Sequence, residues 1–218
     1  MTPATTLTVH RLPVGAGAPD GRLTAALRAV TDAAAADPTA PLVLALEPAP
    51  HPPARPEGLP AWSRWEKELI RLERLPAPVV ALLDGTVHGT ALQLALATDL
   101  RFATPDTVLA ATELADGYLP GLAIQRLVRQ LGVGHARRMV LSGAGLTATD
   151  AERLGLLDAV DPDPAGAAAR LLAVRAIAPP LWHLARRLLL ESHESSTEDA
   201  LGGTLAAQER ALREGALT

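Results

Sequence analysis

The sequence predicts an α/β fold, with a parallel-stranded core and a helical C-terminal region. Three observations carry this prediction. Short apolar runs with β-branched residues, such as Leu42 to Leu46 and Val79 to Leu83, alternate with longer stretches of helical period. The first strand–helix–strand spacing leaves room for a crossover, as parallel strands require. After Pro162 and Pro164 the chain reads as helix only. The division expected is a core over residues 1–162 and a helical region over residues 163–218. A chain of 218 residues suits one domain with a sizeable core.

Leu7 to Leu12 alternates and predicts an edge strand. Leu23, Leu27 and Val30 recur at helical spacing, so residues 21–36 should be a helix. Residues 41–46 form the second predicted strand. Residues 47–60 carry six prolines, at 48, 50, 52, 53, 56 and 60, and read as a stiff loop. Residues 61–75 predict an amphipathic helix with Trp62, Trp65, Leu69, Leu72 and Leu75 on one face. Glu66, Lys67, Glu73 and Arg74 lie off that face. The two tryptophans are assigned to packing, with the wall of an acyl pocket as the alternative.

Residues 78–83 form a buried strand ended by Asp84-Gly85. A turn through Gly89 then leads into an almost wholly apolar helix, residues 92–97. Residues 99–103 suggest the next strand, and residues 108–111 a further apolar run before Glu113. Tyr118-Leu-Pro-Gly121 turns the chain into two helices separated by Gly132. Residues 146–149 cap another helix, and residues 156–161 predict a last strand. Helices are expected over 165–177, 181–191 and 198–213, the last capped by Ser196-Thr197.

Composition excludes several classes. There is no cysteine, so disulfides and thiolate chemistry are out. The formal charge is −4, and Lys67 is the only lysine, so nothing suggests a nucleic-acid surface. No apolar run approaches a membrane span. The N-terminus lacks the features of a signal peptide, so a cytoplasmic protein is expected. The six histidines, at 10, 51, 88, 135, 183 and 193, show no ligand spacing, and no metal is expected. Residues 142–145 lack the nucleophile elbow of a serine hydrolase.

Chemistry is suggested by residues 77–125. A glycine turn opening a buried helix presents backbone N–H groups, which stabilise negative charge. A carbonyl oxygen becoming an enolate is such a charge. Glu113 is the candidate proton carrier. His88 adjoins the turn, and Tyr118, the only tyrosine, lies beside Pro120-Gly121; either can face a substrate or serve packing. Asp84 and Asp116 suit turns.

These residues carry a family resemblance. Ala77-Pro-Val-Val-Ala, Asp84-Gly85, Gly89, Gln93-Leu-Ala-Leu-Ala, Asp99-Leu-Arg-Phe-Ala, Glu113, Pro120-Gly121 and Gln125-Arg-Leu resemble the enoyl-CoA hydratase/isomerase, or crotonase, superfamily. Leu141-Ser-Gly143 and residues 148–160 continue the likeness. It implies a spiral of ββα units, an acyl-CoA thioester substrate, no cofactor beyond that coenzyme A, and a homotrimer or hexamer. Trp62 and the helix through Leu75 extend the resemblance toward the small crotonase-like component of 3,5-dihydroxyphenylglycine biosynthesis. That implies a type III polyketide synthase and a second crotonase-like protein as partners.

The resemblance also assigns roles. The family's two acidic positions fall on Glu113 and Gln93. Gln cannot transfer a proton at neutral pH, so two-carboxylate hydration is in doubt. One oxyanion donor falls on the N–H of Thr90, which also suits a helix cap. The other comes from the proline-rich loop, where Ala49 and His51 are candidates because proline has no N–H. The rival expectation is a non-catalytic partner subunit, and a weaker one is an ordinary enoyl-CoA hydratase.

Overall fold

The computed structural model describes residues 7–14, 17–48, 57–174, 177–192 and 196–213. Five strands form one parallel sheet in the order β1 (Val9–Val14), β2 (Leu42–Pro48), β3 (Val79–Leu83), β5 (Leu100–Ala103) and β8 (Ala159–Val160). Three short strands, β4 (Thr86–Val87), β6 (Val108–Leu109) and β7 (Leu146–Thr147), form a second sheet. The helices are α1 (Gly21–Ala36), α2 (Leu59–Glu73), α3 (Thr90–Leu96), α4 (Ala123–Ser142), α5 (Ala148–Arg153), α6 (Pro164–Val174), α7 (Pro179–Glu191) and α8 (Thr197–Arg213). This is the crotonase type of α/β fold.

Side chains alternate across a strand, so both faces of the large sheet must be covered. Val79, Ala81 and Leu83 of β3 join Leu42, Leu44 and Leu46 of β2 in the main core. Leu23 and Leu27 of α1, Trp65, Leu69 and Leu72 of α2, and much of α3 close that face. Val43, Val80 and Phe102 point the other way, and Ala167 and Ala168 of α6 pack on them. With so few aromatics, the core depends on Leu, Val and Ala.

The first helix follows its sequence signals closely. Asp20 caps α1 by accepting from the Leu23 N–H at 2.7 Å, which is worth about 1 kcal/mol. Ser196 caps α8 by accepting from the Asp199 N–H at 3.1 Å. Gly132 interrupts α4 with φ 73° and ψ 163°, a conformation open to glycine, so the two expected helices run on through a kink.

Two expectations need correction. The strand predicted over 156–161 shrinks to β8, because the N–H groups of Leu156 and Leu157 both turn back to the Ala151 carbonyl. Their buried side chains plug the end of α5 instead of entering the ladder. Thr86-Val87 is more than a turn, since it pairs with Val108-Leu109 as β4.

Buried charge is the feature hydrophobic period does not show. Glu68 on α2 is buried and accepts from Arg28 of α1 at 2.7 Å and from Arg71 at 2.9 Å. Asp99, at the start of β5, accepts from the guanidinium of Arg186 on α7 and from the Trp182 indole at 3.1 Å. Arg186 also donates to the carbonyls of Leu75 and Ala77. That single side chain pins α7 to the sheet. Among the described residues no helix is long and apolar enough to cross a membrane.

Candidate active site

The site grows out of the end of β3. Past Asp84-Gly85 and β4 the chain reaches Gly89, whose φ of 58° and ψ of −133° suit glycine alone. This sharp turn opens α3, whose seven residues are all buried. Thr90 is the first of them, and Gln93 follows one turn later on the same face. Asp84 accepts from the Thr104 hydroxyl at 2.7 Å and serves its turn.

Glu113 comes from the loop after β6. Its carbonyl accepts from the N–H groups of Asp116 and Tyr118, at 3.1 and 3.0 Å, which curls the loop and sends the side chain inward. The carboxyl group is only 1% exposed. Its Oε1 accepts from Gln93 Nε2 at 3.1 Å, and its Oε2 has no partner among the described residues. Gln93 Oε1 in turn accepts from the indole N–H of Trp65 on α2 at 2.7 Å. Three elements thus meet at one buried line of side chains: Trp65, Gln93 and Glu113. A buried carboxyl oxygen without a donor is uncommon.

Tyr118 stands beside this line. Its ring packs against Trp62 with centroids 5.8 Å apart, and its hydroxyl is buried without a partner among the described residues. Burial, together with the nearby negative charges of Asp116 and Glu113, pushes its phenol up to about 12. Because the chain has one tyrosine, phenolate absorbance reports this group alone. Titration of the folded protein should give a midpoint near 12, against about 10 for free tyrosine. The folded state holds the proton longer than the unfolded chain, so stability should fall as pH rises between those two values. A midpoint at the ordinary value would mean that the hydroxyl is in water.

His88 is tied through Nδ1 to the Thr112 hydroxyl at 3.2 Å and so braces the residue before Glu113. Asp116 is exposed. Ala49 and His51 lie outside the described residues. The turn at Gly121 is fixed from α2: Glu66 accepts from the Leu122 N–H at 2.8 Å and from Arg126 at 3.0 Å. Arg126 also donates to Glu73 at 2.7 Å. Gly121 has φ 57°, and a Cβ there would collide with Glu66 Oε1. The structure therefore brings Gln93 and Glu113 together with Trp65, which sequence reasoning assigns to packing, with the wall of an acyl pocket as the alternative. Its helical period made it a core residue, and nothing in that period marks where an indole N–H points.

The profile of the enoyl-CoA hydratase/isomerase family matches residues 58–214. A protein of Amycolatopsis orientalis described as an enoyl-CoA hydratase is 40% identical over 152 residues, covering 69% of this chain and 70% of that one. Human mitochondrial enoyl-CoA hydratase domain-containing protein 2 is 44% identical over 84 residues, 38% of this chain and 29% of that one. The crystal structure of an enoyl-CoA hydratase of Mycobacterium smegmatis superposes with a TM-score of 0.82 at 22% identity, covering 95% of this chain and 87% of that one. The chain belongs to the enoyl-CoA hydratase/isomerase family.

Proposed function

We propose that this chain is a single-carboxylate acid–base enzyme. It would assist dehydration and aromatisation of a polyketide-derived CoA thioester to 3,5-dihydroxyphenylacetyl-CoA. The observation that supports it is the buried pair in which an amide, Gln93, stands beside the unpartnered Oε2 of Glu113. In the elimination Glu113 Oε2 would take a proton from the carbon next to the thioester carbonyl. The C–H electron pair moves to the carbonyl oxygen, forming an enolate. The N–H of Thr90 and one from the loop holding Ala49 and His51 hold that oxygen. The enolate then expels hydroxide, which leaves as water with the proton from Glu113. One such loss from the cyclised chain, with enolisation of its two ring ketones, makes the ring aromatic and leaves the two ring hydroxyls.

The narrower assignment draws on the likeness through Trp62, Trp65 and the rest of α2. It implies a type III polyketide synthase as the supplier of the substrate and a second crotonase-like protein as a companion. Assembly as a trimer or hexamer belongs to the same proposal, and Leu201, Leu205 and Leu212 of α8 are exposed in the single chain. No cofactor is needed beyond the coenzyme A of the substrate.

A partner-subunit role is the second reading. The exposed Leu119, 66% accessible beside the Tyr118 turn, favours a protein contact there. The experiment measures aromatic thioester formed from malonyl-CoA by the synthase with and without this chain. A several-fold rise is expected, and no rise removes the assignment. Crotonyl-CoA hydration serves as the control and should stay at background, because Gln93 cannot act as the second acid.

A further inference from the structure

We propose that Trp65 is a positioning residue: its indole N–H fixes the Gln93 amide so that Glu113 exchanges its proton at Oε2 alone. This inference rests on Glu113 being the proton carrier.

The steps follow from donor and acceptor chemistry. An indole N–H can only donate. The Gln93 atom 2.7 Å from Trp65 Nε1 must therefore be the amide oxygen. If the amide were turned over, two donors would face each other at Trp65. The amide oxygen would then also face a carboxylate oxygen of Glu113. Trp65 and Gln93 are 0% exposed and Glu113 is 1% exposed, so water cannot relieve either conflict. The orientation of the amide is thus set by Trp65.

The consequence reaches Glu113. With the amide so held, its NH2 group faces Glu113 Oε1 at 3.1 Å. A proton on Oε1 would oppose that donor, so the carboxyl group carries its proton on Oε2. Oε2 is the oxygen that has no partner. Without the indole N–H the amide can turn over. It would then present its oxygen to Glu113 and invite the proton onto Oε1, away from the unpartnered position. Gln93 is, on this view, a coupling between an indole on α2 and a proton on the loop after β6.

The test uses the full chain and phenylacetyl-CoA in D2O, following deuterium entry at the carbon next to the thioester. Trp65→Phe keeps the aromatic packing and removes only the donor. It should lower kcat about tenfold, the loss of one oriented hydrogen bond to a charged group, with KM unchanged. In a Gln93→Leu background the same substitution should have no further effect, because Trp65 acts through Gln93. Equal kcat in Trp65→Phe, or an independent multiplicative loss in the Gln93→Leu background, would overturn the inference.

A second measurement does not depend on turnover. The Trp65 indole N–H, assigned by its absence in Trp65→Phe, should be protected from solvent exchange in wild type. It should lose that protection in Gln93→Leu. An indole that exchanges freely in wild type also overturns the inference. The two levels separate cleanly. If Glu113→Gln keeps full exchange, or wild type shows none, the proton-carrier reading falls and takes this one with it. If Glu113→Gln is inactive but Trp65→Phe is not, only the role of Trp65 falls.

Discussion

Glu113→Gln should lower deuterium exchange into phenylacetyl-CoA by about 100- to 10,000-fold, the usual worth of a positioned acid–base group. The substitution is close to isosteric, and the neighbours accept it. Gln93 Nε2 can still donate to a side-chain oxygen at position 113, and the new NH2 group takes the place of an oxygen that had no partner. Thermal stability should therefore hold or rise, since a buried carboxylate with one donor is replaced by a neutral amide. KM should change little. A loss of less than tenfold with intact folding would show that Glu113 does not carry the proton. The partner-subunit reading would then lead, and synthase enhancement by Glu113→Gln equal to wild type would support it.

The largest effect on stability should come from Arg186→Met. The guanidinium is buried and joins Asp99 to the carbonyls of Leu75 and Ala77. Methionine fills similar space and satisfies none of them. Breaking such a buried pair typically costs about 3–5 kcal/mol. Asp99 keeps its bonds from the Val79 N–H, 2.7 Å, and from Trp182, 3.1 Å, which soften the loss. Urea unfolding followed by tryptophan fluorescence measures it. The double variant Asp99→Asn/Arg186→Met should recover part of the loss, because no uncompensated charge remains. A change below about 1 kcal/mol would mean that water reaches Asp99 and screens it.

Much of this was legible in the sequence because hydrophobic period and turn chemistry are local. Leu23, Leu27 and Val30 locate α1 without help from the rest of the chain. Pro78 to Leu83 between prolines and Asp84-Gly85 locates β3 equally well. Gln93 and Glu113, both singled out in the sequence, meet through a hydrogen bond of 3.1 Å. The pairing of Thr86-Val87 with Val108-Leu109 was not legible, since two residues give no measurable alternation. Glu68 and Arg186 were hidden for another reason: each looks like an ordinary surface charge, and the cross-element partners Arg28 and Asp99 lie far along the chain. Trp65 shows the limit most clearly. Its burial could be read from the period of α2, but its hydrogen bond to Gln93 depends on a rotamer and on a helix 28 positions away.

The order of the large sheet bears on how the protein is made. Reading across it from β1 through β2, β3 and β5 to β8 is also reading along the chain. A ribosome releases the strands in the order in which they stand side by side. Each new strand can dock on the free edge left by the one before, and none has to be threaded between two already paired. The edge that waits in the growing sheet is always the newest one. Arg186 arrives 87 residues after the aspartate it grips, and so acts as a late clasp on a sheet already laid down.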